Sequence, residues 1–292
     1  MIIVLLGPTC TGKSETAYKL AKLYNAEIIN GDAFQIYKEL NIGVAKPPKE
    51  YLEDISHHLY SFVNIDRPYS IKDYQEDLRN QINDISTRNK NIIIVGGSML
   101  YIRAALYDYG FNDNNKEIDL SKYDNYTNEE LHALLEKIDP VDAKKIHFNN
   151  RKRVLRALAI YETNGLSKTE LNSNQNHKPI YDCMFFTRDI NRDELYEKIN
   201  KRVDYMVEND LVNEVKSLIK NHNKKLQSLQ AIGYKEVISY LDGKLSLEEA
   251  IELIKKNTRN YAKRQMTFIR HQFEVSYYKS DEELINQINS HK

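Results

Sequence analysis

Near the start of the chain, Gly7, Pro8, Thr9, Cys10, Thr11, Gly12, Lys13 and Ser14 follow the pattern G-x4-G-K-[ST]. Glycines let a backbone wrap a phosphate, and the start of a helix adds free N–H groups and partial positive charge. Lys13 contributes a full charge, and Ser14 is placed to coordinate a Mg2+ that bridges phosphate oxygens. The pattern predicts that all eight residues bind phosphates and that Ser14 is a metal ligand. The alternative is a glycine turn without a ligand.

A phosphate loop alone suggests an ATPase or an ATP-dependent small-molecule kinase, and such sites need an acidic residue at the end of a buried strand to hold the metal. The apolar run Ile92–Val95 leads instead into Gly96-Gly97-Ser98. Asp32 is the nearest plausible carboxylate, and a diphosphate leaving group becomes as plausible as γ-phosphoryl transfer. Asp32 also reads as a turn-capping residue after Gly31.

The elements that must position these residues alternate. Ile2–Leu6 predicts a buried strand that ends in the loop, and Lys13–Tyr24 a helix. Glu27–Asn30 predicts a second strand, Ser70 caps a helix to about Thr87, and Asn91–Val95 is a third strand. Apolar strands separated by helices predict a parallel sheet. From about 110 the chain turns acidic and helical. Thr127 and Glu130 form a capping box, a second helix covers about Asn150–Glu162, and Ser167–Lys178 reads as polar turns. YDCMFFTRDI returns as a strand. One helix runs from Asn191 to about Lys220, another covers Tyr234–Leu241, and a long one runs from Ser246 to about Phe273. The expected fold class is α/β, a P-loop NTPase-like parallel-sheet core (1–109 and 179–292) with a helical insertion at 110–178.

Several segments together resemble the tRNA dimethylallyltransferase (tRNA isopentenyltransferase) family. They are GPTCTGKS at 7–14, GDAFQIYKELNIGVAKP at 31–47, HHL at 57–59, GGSMLYIRAAL at 96–106, IHFNNRKRVLRALAIY at 146–161, RVDYM at 202–206, AIGYKE at 231–236 and NTRNYAKRQMTFIR at 257–270. The resemblance implies a prenyltransferase that moves a dimethylallyl group from its diphosphate to N6 of adenine 37 in tRNA, with Mg2+ as cofactor. It implies Asp32 as general base, Arg202 on the diphosphate and Ser98 beside the bridging oxygen. Arg202 otherwise reads as a surface charge, and Ser98 as a strand-end cap. Ala33 stands where the family usually has Ser, Phe268 where Trp is common, and Asn150 where Asp is common. His57 and His58 read as packing or hydrogen-bonding residues, since no partner motif completes a metal site.

An adenine stacked in an anticodon loop must be flipped out to reach Asp32. Asp32, Ala33, Phe34, Gln35, Gly233, Tyr234 and Lys235 lie in matching motifs, Gln230 directly precedes one, and all are candidates for reading it. Phe34 and Tyr234 also read as core aromatics.

The chain of 292 residues balances 42 Lys+Arg against 42 Asp+Glu, which excludes a globally basic RNA binder. Local sums differ. Residues 108–142 hold ten acids and three bases, whereas 143–161 and 253–272 each hold six bases and no acid. Arg151, Arg153 and Arg156 in the first block, and Arg259, Lys263 and Arg264 in the second, are candidates for tRNA phosphates. A solvated helix surface is the alternative. Two distant cysteines and no transmembrane run or secretory signal point to a cytoplasmic protein without membrane contact, expected to be a monomer.

Overall fold

The computed structural model describes residues 1–111, 119–173 and 178–291, without the side chain of Asn172. Asp113 and Glu117 of the acidic stretch, and 174–177 of the polar stretch, lie outside them. The chain divides into two compact units, one formed by Met1–Leu106 with Pro179–Lys292 and the other by Tyr107–Lys178.

The larger unit is built on six parallel strands: β1 (Ile2–Leu6), β2 (Ala26–Asn30), β3 (His57–His58), β4 (Asn91–Gly96), β5 (Cys183–Arg188) and β6 (Ser276–Tyr278). Their order is β3-β2-β4-β1-β5-β6, so β1 lies between β4 and β5, with Leu5 opposite Val95 and Phe186. Ile3 through Leu6 are all buried, which is why β1 reads as an unbroken apolar run rather than an alternation. Helices α1 (Lys13–Tyr24), α2 (Lys49–Asp54) and α3 (Ile71–Thr87) connect the first four strands, and α4 (Met99–Leu106) follows β4. Ser70 and Asp73 form the capping box that starts α3.

The smaller unit holds α5 (Asn128–Ile138), α6 (Pro140–Ala143), α7 (Arg151–Asn164) and α8 (Lys168–Ser173) around Leu131, Leu135, Val154 and Leu158. The Thr127–Glu130 capping box is present, and Gly165 ends α7 in a left-handed conformation. The stretch from Ser167, expected as turns, begins with a helix. Glu170 Oε2 accepts from Ser167 N at 2.7 Å, a Ser-x-x-Glu signal that the polar composition obscured.

The larger unit then continues with α9 (Arg192–Glu208), α10 (Leu211–Asn221), α11 (Tyr234–Leu241), α12 (Leu247–Gln272) and, after β6, α13 (Asp281–Ser290). The single helix expected over Asn191–Lys220 is two. Its buried positions run 195, 199, 203, 206 and then 211, 215, 218, and the five-residue step breaks the helical phase. Asp210 absorbs the break at φ 80°, a conformation that Asp tolerates better than most residues. Among the described residues no helix is long and apolar enough to cross a membrane.

Candidate active site

The loop after β1 wraps a cavity of about 380 Å³. Gly12 sits at φ 80° directly before α1, and Cys10 at φ 67° is a non-glycine residue in the same left-handed region. Such strain persists only where the surroundings over-determine it, as at ligand clamps. Thr11 Oγ1 donates to Pro8 O at 2.9 Å, and Lys13 Nζ also donates to Pro8 O, folding the amine back over the loop. Burial lowers the Lys13 ammonium to about 8, with Cys10 and Asp32 pulling the other way. Burial pushes the Cys10 thiol up, against Thr9, Lys13, Arg202 and Lys198. Thr9 through Ser14 line the cavity, whereas Gly7 and Pro8 do not.

Asp32 follows β2. Its Oδ1 accepts from Phe34 N at 2.9 Å and Gln35 N at 3.4 Å, while its own N–H donates to Asn30 Oδ1 at 2.9 Å. The carboxylate is therefore both a turn cap and a cavity wall. Burial raises its pKa, opposed by the two backbone N–H groups and by Lys13. The loop can lie this deep because β4 ends in glycine. A Cβ on Gly96 would stand 2.1 Å from Gly31 C and O. Gln35 Nε2 donates to Val44 O and Ala45 O, both at 3.0 Å, and so holds the next wall of the cavity.

A second, more apolar cavity of about 270 Å³ adjoins the first. Phe34, Ile199, Val203, Met206, Ile232 and Ile254 supply its apolar lining. Thr9, Cys10, Asp32, Val44, Ala45, Arg202 and Tyr261 line both cavities. Arg202 projects from α9 with its guanidinium 5.2 Å from the Tyr205 ring centroid. Tyr261, on α12, donates to Gly97 O at 3.3 Å. Its hydroxyl is pushed up to about 12 by burial and then by Asp32, against Ser98, Arg264 and Gln265. Its place in both walls carried no sequence signal beyond membership of a helical motif.

Several candidates have other duties. Ser98 is buried and lines neither cavity; its Oγ accepts from Ala33 N at 2.8 Å, so it supports the Asp32 loop. Tyr234 is fully buried and donates to Glu214 Oε1 at 2.5 Å, which corrects its reading as a base-stacking residue. Glu214 also accepts from Ile42 N at 2.9 Å, so Tyr234 helps to brace the wall that includes Val44. Gly233 is buried and donates to Glu236 Oε2 at 2.7 Å, a turn position rather than a contact surface. Gln230 is exposed and lines the apolar cavity, whereas Lys235 is exposed and lines neither cavity.

The basic blocks divide in the same way. Arg151 donates to Tyr126 O at 2.7 Å and Tyr123 O at 2.6 Å, tying the smaller unit together, whereas Arg153 and Arg156 are exposed on α7. In the larger unit Arg259 donates to Asn200 Oδ1 at 2.7 Å and Lys255 pairs with Asp204 at 2.8 Å, both joining α12 to α9. Lys256, Lys263, Arg264 and Arg270 remain exposed. Asn150 is exposed at the start of α7, and Phe268 packs 6.2 Å from Phe273. His57 and His58 bond Ile55 O and Glu27, as packing residues do.

Among the described residues no group of three or more His, Cys, Asp and Glu could hold a metal ion. The donor set suits a cation that arrives with phosphates: Ser14 offers a hydroxyl at the cavity wall, and phosphate oxygens would supply the remaining ligands.

A parallel sheet with this loop between its central strand and α1 defines an α/β protein of the P-loop NTPase-like class. The model of the IPP transferase family matches residues 35–272, and the chain belongs to that family. A tRNA dimethylallyltransferase of Oceanobacillus iheyensis is 39% identical over 291 residues, covering 98% of this chain and 93% of the relative. One from Anoxybacillus flavithermus is 42% identical over 285 residues, with coverages of 97% and 92%. The crystal structure of a tRNA isopentenylpyrophosphate transferase from Staphylococcus epidermidis aligns with TM-score 0.74 at 37% identity, covering 99% of this chain and 98% of that one. A eukaryotic dimethylallyltransferase, described as acting on tRNA, aligns with TM-score 0.83 at 28% identity, covering 99% and 77%. The chain is an enzyme of the prenyltransferase type.

Proposed function

We propose that the chain transfers the dimethylallyl group of dimethylallyl diphosphate to N6 of adenine 37 in the anticodon loop of tRNA, releasing diphosphate. The observation that carries this reading is the position of Asp32 on the wall shared by a phosphate-binding cavity and an apolar one. The adenine amino group is a weak nucleophile, because its lone pair is delocalised into the ring. As N6 bonds to C1 of the prenyl group, the C1–O bond breaks and its electron pair leaves on diphosphate. Asp32 accepts the N6 proton. One carboxylate oxygen is held by Phe34 N–H, which fixes the group in place, and burial raises its basicity.

The loop N–H groups, Lys13 and Arg202 stabilise the charge that grows on the diphosphate. Mg2+, held by Ser14, would add a Lewis acid there. The flipped adenine and the prenyl group meet at the apolar cavity, where Phe34 presents a ring. Exposed Arg153, Arg156, Lys263 and Arg264 engage tRNA phosphates, with the insertion gripping the anticodon stem-loop. The protein works as a cytoplasmic monomer.

Incubating the protein with labelled dimethylallyl diphosphate, Mg2+ and unmodified tRNA should place the label on adenine N6; no label with folded protein would overturn the reading. The ATP-dependent kinase reading is not favoured, because the relatives are prenyltransferases and β4 ends without a metal carboxylate. It would require γ-phosphate transfer from ATP, and none is expected.

A further inference from the structure

Gln265 projects from α12 into the wall of the phosphate cavity and is only 4% exposed. Its Nε2 donates to Gly97 O at 2.7 Å, but its Oε1 is buried without a hydrogen-bond partner. A Cβ on Gly97 would lie 2.4 Å from Gln265 Nε2 and 3.5 Å from Gly7 O. The amide therefore fills the space over Gly97, just past the end of β4. Other P-loop enzymes use an acidic residue there to hold Mg2+. In this chain that strand end is Gly96-Gly97.

A buried acceptor without a donor is unfavourable. Diphosphate cannot satisfy it, because its ionised oxygens are acceptors too. Mg2+ can bring the donor, since it keeps several waters when it binds phosphates. We propose that Gln265 Oε1 accepts a hydrogen bond from a water on the Mg2+ that accompanies the diphosphate, which makes Gln265 a positioning residue for the metal. The proposal rests on the Mg2+–diphosphate reading above. A neutral amide orients the water without cancelling the metal's charge. It leaves the full positive charge for the departing diphosphate and does not act as a base toward the water.

The test measures binding of inorganic diphosphate by calorimetry, with EDTA and with Mg2+, for the wild type and for Gln265→Met. A purely structural role would weaken binding equally in both conditions. The proposed role cuts the Mg2+ enhancement by about tenfold beyond any loss seen in EDTA, the scale of one hydrogen bond to a charged group. An unchanged enhancement in folded Gln265→Met overturns the proposal. If melting curves show that this variant does not fold, Gln265→Glu carries the test. Its carboxylate should raise the enhancement above wild type, and an equal or smaller value overturns the proposal. Wild-type affinity that ignores Mg2+ would instead remove the metal reading itself.

Discussion

The Ser98 hydroxyl accepts a 2.8 Å hydrogen bond from the Ala33 amide, and this bond ties the loop that carries Asp32 to the end of β4. Ser98 N–H also donates to Gly31 O at 3.0 Å, so both ends of the Gly31–Ala33 segment are fastened to one residue. Ser98→Ala should lower kcat by about tenfold through a misplaced carboxylate, the scale of one missing hydrogen bond. Ser98→Thr, which keeps the acceptor, should restore most of it. Steady-state kinetics on the two variants checks this.

Asp32→Asn removes the base while keeping an acceptor for Phe34 N–H. General-base catalysis contributes on the order of 10²–10⁴ in rate, and kcat should fall within that range. Affinity for tRNA, read by filter binding, should change little. A variant that retains near-wild-type turnover would exclude Asp32 as the base.

The pH profile should fall on its alkaline side near pH 8. Lys13 must be protonated to hold diphosphate, and burial has lowered it to about 8 in the free protein. On the acid side, Asp32 must be ionised, and its raised pKa shifts the ascending limb upward. The fall should appear in kcat/KM, which reports the free enzyme, more than in kcat. Lys46, also lowered to about 8, lines the same cavity. Lys13→Arg separates the two: the alkaline limb should move upward if Lys13 sets it and stay near 8 if Lys46 does.

Arg153→Ala and Arg156→Ala should each weaken tRNA binding and flatten its dependence on salt. The log–log slope should change by about 0.7–0.9 for each phosphate that the variant no longer neutralises. Arg151→Ala should behave differently. It removes the donors to Tyr123 O and Tyr126 O, so thermal stability should fall along with binding.

Gly96→Ala should destabilise the larger unit by about 1–3 kcal/mol, the usual cost of overpacking, because the added carbon meets Gly31 backbone. Activity should fall further than stability, since Gly31 precedes Asp32. Chemical denaturation and kcat on the same preparation would show both.

Much of this molecule is legible in its residues because local rules act over short spans. The unbroken apolar run at β1, the glycine loop, the N-cap at Ser70 and the capping boxes at Thr127 and Ser246 each fall where the structure has them. The loop's left-handed turn at Gly12, directly before α1, also lies where the glycine pattern puts it. Asp32 is legible as a carboxylate near the loop.

Only the tertiary structure decides which side chains face the cavities and which are spent on holding the fold. Tyr234 and Arg259 share motifs with surface residues, yet one is buried against Glu214 and the other is bonded to Asn200. Gln265 is an ordinary polar residue of a helical motif until α12 packs it against Gly97. Residue type and spacing specify strand, helix and loop through backbone geometry and periodicity. Whether a side chain meets solvent, a carbonyl or a phosphate depends on distant partners, 20, 59 and 168 positions away in these three cases. No local rule encodes those pairings.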